Sequence, residues 1–314
     1  MSNIVKLRLL FVMIINISAA EDEYTGIRDN AHSIKESISK LSELEKKEIS
    51  IVGSFDSMFK DAKVIGQIRF MYFRYNYNAL SDTYATGDAA LVKYELAEYN
   101  DFSAAAAFTS SYDISAFTGD NTKFNNEFST NDGFYAEISE LYINYKNSGL
   151  NIRIGRQLID TPLADNDDIS MIENSFEAYI ATYEISEFSF MFALLKRWHG
   201  IDTRLDVDKP WQDTGKKGTY LASIVYSNKV IDFGLWYYDI SKSNSSNTAT
   251  GNIANRSIYT DLSIHLHPSR DIFVHANIQY LNQNESSNSD IESFIYGTFL
   301  EVKDITLGIA YNKS

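Results

Sequence analysis

Cysteine is absent from the 314 residues, which excludes disulfides, thiolate nucleophiles and cysteine-ligated metals. Proline is scarce, with Pro162, Pro210 and Pro268 only. Past the first twenty residues there is no apolar run of the roughly 20 residues that a membrane-spanning helix needs. Basic residues are outnumbered, 28 Lys+Arg against 42 Asp+Glu for a net charge of −14, which argues against a nucleic-acid partner. Catalytic signatures are missing too: there is no G-x-S-x-G, no H-E-x-x-H and no P-loop. Thr214-Gly215-Lys216-Lys217-Gly218 lacks the strand-loop-helix setting of a phosphate cradle and reads as part of an external loop. No enzyme, cofactor or metal centre is expected. With 44% apolar and 22% charged residues, the chain is not of the disordered class.

What is present begins with an export signal. Lys6 and Arg8 precede the apolar stretch Leu9 to Ile17, and Ser18-Ala19-Ala20 supplies small residues for cleavage. Residues 1–20 are therefore expected to be a signal peptide, and its loss makes the chain more acidic by two charges. In the segment 21–62, Ile34, Ile38, Leu41 and Leu44 lie at helix-like spacing within 30–50; a short amphipathic helix and a plain linker both fit.

From Lys63 onward the apolar period becomes two. Thirteen strand candidates follow: 63–75, 90–98, 102–109, 136–145, 150–158, 176–183, 188–197, 219–226, 230–239, 257–267, 272–280, 291–300 and 305–311. The clearest faces set Phe188, Phe190, Phe192 and Leu194 against Ser189, Met191 and Ala193. In the same way Ile231, Phe233, Leu235 and Tyr237 oppose Asp232 and Gly234, and Ile258, Leu262, Ile264 and Leu266 oppose Asp261, Ser263 and His265. Such alternation cancels in an average, so the mean hydropathy of −0.25 is compatible with a membrane barrel.

Connections sort by length along the chain. Short turns are expected at 99–101, 146–149, 184–187, 227–229, 268–271 and 301–304, and long loops at 76–89, 110–135, 159–175, 198–218, 240–256 and 281–290. Two sides of a membrane impose this sorting, whereas a soluble β-sandwich has no reason for it. All three prolines fall in the expected connections, as sheet hydrogen bonding requires. The 21 tyrosines gather toward strand ends, Tyr75, Tyr145, Tyr226 and Tyr280 among them; this fits a membrane–water boundary and also ordinary strand propensity. The expected class is all-β, a transmembrane antiparallel up-and-down β-barrel over 63–314. Thirteen hairpin-linked strands leave an unpaired edge in hydrocarbon. The expectation is a barrel of sixteen to eighteen strands, which needs on the order of 60 to 100 further C-terminal residues.

Two segments carry a family resemblance. Ser57-Met58-Phe59-Lys60-Asp61-Ala62-Lys63-Val64-Ile65-Gly66-Gln67-Ile68-Arg69 resembles the lead-in to the first strand of the OprD-type outer-membrane porins, above all their Campylobacter-like and Sulfurimonas-like branch. Gly155-Arg156-Gln157-Leu158-Ile159-Asp160-Thr161-Pro162-Leu163, running on through Asp167-Asp168 to Asn174-Ser175-Phe176-Glu177, is similar to the strand and inward-folded third loop that narrow that family's pore. The resemblance spans about residues 51 to 314. It implies an eighteen-stranded barrel in the outer membrane, often a homotrimer. The family's terminal aromatic residue is not matched by Tyr311-Asn312-Lys313-Ser314.

An inward third loop would bring Asp160, Asp165, Asp167, Asp168, Glu173 and Glu177 toward the pore, facing Arg69, Lys93 and Arg153 on lumen positions. Such opposed charges orient charged solutes at a constriction. By strict alternation Arg156 shares the face of Ile152 and Ile154. Either the strand bulges at Gly155 and turns Arg156 inward, or the guanidinium snorkels to the interface. The acidic loop also fits a solvated surface loop or calcium-bridged acids, although no D-x-[DN]-x-[DN]-G spacing is present. Pairing across the turn near Pro268 would set His265 opposite His275, with His267 nearby; no carboxylate completes a recognisable ligand spacing, so polar lining is the plainer reading.

The expected function is passive diffusion of small hydrophilic solutes through an outer-membrane porin, with charged amino acids, small carboxylates or peptides implied by the resemblance. The competing expectations are a non-conducting surface or adhesion protein working through the loops at 110–135, 198–218 and 240–256, and an outer-membrane hydrolase, which would need a Ser–His–acid contact.

Overall fold

The computed structural model describes residues 51–75, 83–113, 134–168, 171–200, 211–241, 255–269, 272–285, 290–302 and 305–313. The expected signal peptide at 1–20 and the helix expected within 30–50 lie outside these. Extended backbone dominates. One short helix, α1 (Phe55–Lys60), is capped by Ser54, whose side chain accepts from the Ser57 amide at 3.3 Å; Asp56 in its first turn and Lys60 in its last match the helix dipole. Its length is set by these caps rather than by an apolar repeat, and for that reason periodicity does not find it.

The strands are β1 (Lys63–Tyr75), β2 (Thr83–Glu95), β3 (Phe102–Asp113), β4 (Phe134–Asn147), β5 (Leu150–Gln157), β6 (Ser175–Ile185), β7 (Phe188–His199), the two-residue β8 (Gln212–Asp213), β9 (Thr219–Ser227), β10 (Ile231–Ile240), β11 (Asn255–Ser269), β12 (Ile272–Glu285), β13 (Asp290–Val302) and β14 (Ile305–Lys313). All thirteen expected strands are present, and β8 adds a clip on β7. Each long strand pairs antiparallel with the next in sequence, the arrangement of an up-and-down meander.

The described residues fall into two compact units. The first contains β1, β2, β3, the β4 residues through Leu141, and Asp167–Glu173. The second contains the rest of β4 and β5 to β14 together with residues through Asn166 of the connection after β5. In the first, β1 and β2 run in unbroken register from Lys63↔Glu95 to Tyr75↔Thr83. In the second, β9, β10 and β11 stay in register from strand to strand, and β12 keeps register with β11 from Asn255↔Glu285 to Leu266↔Val274.

Polarity by face is the reverse of a soluble protein. On one face Ile68, Phe70, Val92 and Phe108 of the first unit and Ile143, Ile154, Phe192 and Ile258 of the second are exposed, Phe192 at 66%. On the other, Ser103, Thr109, Ser111 and Ser139 of the first unit and Asn144, Gln157, Ser223 and Ser257 of the second are buried. In each unit an exposed apolar face of this kind calls for an apolar solvent. The face keeps its phase along β4 only through a slip: Ile138 is exposed, Ser139 and Glu140 are both buried, and Leu141 is exposed again. Two consecutive residues thus point to the polar side, as at a bulge.

Among the described residues, tight turns join strands at the expected short connections 99–101 and 146–149. Asn100 and Asp101 both have positive φ, and Tyr99 and Phe102 exchange backbone bonds of 2.9 and 3.0 Å around them; this is a two-residue hairpin turn. Between β4 and β5, Ser148 and Gly149 do the same with φ of 48° and 84°. A Cβ on Gly149 would stand 2.4 Å from the Glu184 carbonyl oxygen, so that position requires glycine.

Three expectations need correction. The strand expected at 90–98 is β2, which starts at Thr83, because Thr83, Tyr84 and Ala85 continue the ladder against β1; the long loop expected at 76–89 is shortened accordingly. The long loop expected at 281–290 is largely strand, since β12 runs to Glu285 and β13 begins at Asp290. Pro268 lies in β11 rather than in a turn. The register shifts between Leu266 and Ser269, and a proline that cannot donate to the ladder is tolerated at such an irregularity.

Candidate pore-lining site

The polar face is covered in each unit by part of the connection that follows β5. In the second unit, Ile159 is buried with Phe176, Ala178, Ala193, Leu195, Leu221 and Tyr238, and Ala164 packs against them. Tyr238 anchors this stretch: its hydroxyl donates to Thr161 Oγ1 at 3.1 Å and accepts from the Leu163 amide at 3.3 Å. Thr161 closes its own small loop by donating to the Ala164 carbonyl at 2.7 Å. Here the polar face turns apolar, with Ala193 and Leu195 of β7 buried, because the landing site of a connection is dry.

In the first unit, residues of the same connection land on β1, β2 and β4. Met171 and Ile172 are buried with Ala89 and Tyr135, and Met71 packs against them. Asp168 forms an ion pair with the Arg69 guanidinium, which also donates to Gln67 Oε1 at 2.9 Å. Both charged side chains are mostly buried, 13% and 19% exposed. In each unit this connection thus packs on the polar face of the sheet.

Of the residues expected to line a pore, the structure brings Arg69 and Asp168 together. Lys93 stands on the polar face of β2 and meets Glu140 at 3.1 Å; the phase slip in β4 delivers that carboxylate, and simple alternation missed it for that reason. Arg153 lies on the polar face of β5, donates to Asn144 Oδ1 at 3.2 Å and stacks over the Tyr142 ring at 4.4 Å. Asp160 and Asp165 are exposed in the connection, and Asp167 and Glu173 are half-buried.

Arg156 and Glu177 are differently placed from the expectation. The β5–β6 register continues unshifted through Ile154↔Tyr179, Gly155↔Ala178, Arg156↔Glu177 and Gln157↔Phe176. Gln157 and Phe176 are buried on the polar side, so Arg156 and Glu177 take the opposite side, with exposed Ile154 and Tyr179. No bulge at Gly155 turns Arg156 inward. Its charge is accommodated instead by the Trp211 ring, 4.5 Å beneath the guanidinium, and Glu177 is held by an ion pair to Arg197. An aromatic ring beneath a guanidinium offsets part of its lost hydration by a cation–π contact.

His265 and His275 are cross-strand partners on the polar face, as the turn spacing suggests. Among the described residues no group of three or more His, Cys, Asp or Glu is arranged to hold a metal, and no helix is long and apolar enough to cross a membrane.

No protein-family model matches the sequence, and none of the curated proteins does. Solved structures match in shape. OccAB3 of Acinetobacter baumannii superposes with a TM-score of 0.66 at 10% identity, over 81% of this chain and 67% of that one. OccAB2 of the same organism gives 0.64 at 12% identity, over 82% and 70%. OccD3 (OpdP) of Pseudomonas aeruginosa gives 0.59 at 11% identity, over 79% of this chain and 56% of that one. The chain therefore spans only part of the length of these proteins, little more than half in the last case. At such identities the likeness is one of fold, and the fold is that of the OprD/Occ-type β-barrel porins.

Proposed function

We propose that this protein is a bacterial outer-membrane porin, exported through a cleaved signal peptide, that lets small hydrophilic solutes diffuse through a water-filled lumen. The observation that carries the reading is the inverted polarity of the sheet. Its apolar face is exposed, while its other face holds Ser, Thr, Asn and ion pairs and receives the connection after β5. Lipid satisfies the first face and a solvated lumen the second.

Arg69, Lys93 and Arg153, with Asp160, Asp165, Asp167, Asp168 and Glu173, are proposed as the charged lining that sets which solutes pass. The presence of both signs suits zwitterionic or charged solutes such as amino acids, small carboxylates or short peptides. Passage down a gradient needs no nucleotide, and no catalytic step is proposed. A homotrimer is not proposed, because OprD-type porins are typically monomeric.

Planar-bilayer recording of the folded protein tests this reading. A stable open channel is expected, and Asp167→Asn with Asp168→Asn should move its reversal potential toward lower cation preference. Correctly folded protein without conductance would instead support the surface-protein reading.

A further inference from the structure

We propose that His265 and His275 form a two-nitrogen site for a divalent transition ion, copper(II) by preference, on the polar face of the β11–β12 hairpin. The inference stands independently of solute passage. His265 and His275 are direct register partners, and their Nδ1 atoms lie 3.0 Å apart. Two imidazole nitrogens bound to one ion at about 2.0–2.1 Å each stand about 3.3 Å apart in tetrahedral geometry and about 2.9 Å apart as cis ligands in the square-planar geometry that copper(II) prefers. The separation is therefore already that of a chelate; to bind an ion the two rings turn so that both Nδ1 lone pairs converge on it, and His275 takes the tautomer with its proton on Nε2.

The second observation is the partner behind His265. Its Nε2 lies 2.7 Å from Asp232 Oδ2, and Asp232 accepts from the Ser227 hydroxyl through its other oxygen. Two hydrogen bonds thus fix the carboxylate on β10, where the β10–β11 register sets Asp232 against Ser263. A carboxylate accepting from Nε2–H holds the ring in the tautomer whose Nδ1 carries a lone pair, and that lone pair is aimed at His275. Carboxylate–histidine–metal chains have this construction, in which the carboxylate orients the ring toward the ion.

The rings are also held from the side. Phe273 stacks with His265 at 6.1 Å and 19°, and tilts against His275 at 6.3 Å. His267 packs on Phe273 at 4.7 Å and takes no part in the Nδ1 contact, which makes it an internal control. Two nitrogen donors leave the other positions to water, and His265 is 27% exposed, so an ion can enter and exchange. Imidazole ligands suit copper, zinc and nickel, and copper(II) binds most tightly among the divalent first-row ions.

The test uses the untagged, folded protein in detergent with copper(II) alone. One equivalent should bind, and its electron paramagnetic resonance spectrum should carry the hyperfine pattern of two nitrogens. His275→Ala should abolish that pattern, Asp232→Asn should weaken binding roughly 10–100-fold, and His267→Ala should leave both unchanged. An oxygen-only or single-nitrogen spectrum from the wild-type protein overturns the proposal without recourse to any variant. So does a His275→Ala protein that binds copper(II) as the wild type does with the same spectrum.

Discussion

Residues 159–164 and residues 168 and 171–173 belong to one connection, yet each stretch is fastened to its sheet by different chemistry. The first stretch is held by neutral groups: buried Ile159 and the two hydrogen bonds of the Tyr238 hydroxyl. The second is held by Met171 and Ile172 among Ala89, Tyr135 and Met71, and by the Arg69–Asp168 ion pair. Apolar burial is common to both and fixes where the chain lands. The difference lies in the polar latch: the neutral one is indifferent to salt, whereas the charged one places a carboxylate beside a cation on the face proposed to meet solutes.

The largest break in this comparison should come from the apolar anchor of the second stretch. Ile172 is 2% exposed, and Ile172→Ala removes buried methyl groups at a cost of about 2–5 kcal/mol. Amide exchange should rise across residues 171–173 while residues 159–164 keep wild-type protection. Equal loosening of both stretches would mean that they move as one.

Tyr238→Phe should have a smaller effect, confined to the other stretch. It deletes one donor and one acceptor while keeping the ring, a loss of about 0.5–1.5 kcal/mol for each hydrogen bond. Exchange at Leu163 should quicken with no change at 171–173. Unaltered protection of Leu163 would assign its anchoring to Ile159 alone.

The meander was legible in the sequence because alternation is a local signal; β1 from Lys63 to Tyr75 and the faces of β10 and β11 lie where periodicity sets them. The His265–His275 partnership was legible for the same reason, since a hairpin turn fixes the register beside it. Glu140 was not, because the slip at Ser139 and Glu140 adds one residue to a face without changing the composition around it. For Arg156 the sequence left two placements open, and the straight register keeps it on the apolar side; its partner there, Trp211, comes from a distant part of the chain that no spacing connects to it. Tyr238 stands 77 residues from Thr161, and nothing in its own strand marks it as an anchor. The charges of the polar face were thus recognisable by type, whereas their partners were fixed by packing at long range.

The smallest expected effect sharpens the comparison most, because it separates the two latches within the unaltered protein. Raising ionic strength shortens the screening distance from about 10 Å at 0.1 M to about 3 Å at 1 M. It should weaken only the latch made of charges. Burial of Arg69 and Asp168 limits the loss to a fraction of the roughly 1.5–3 kcal/mol typical of a hydrogen bond to a charged group. Exchange at residues 171–173 should therefore rise modestly with salt and at 159–164 not at all. In Asp168→Asn the response at 171–173 should vanish, since the asparagine can still accept a hydrogen bond but has no charge to screen. A salt response that persists in that variant would assign the effect to the acids around it, Asp167 and Glu173, and would remove the ion pair from its place as the latch.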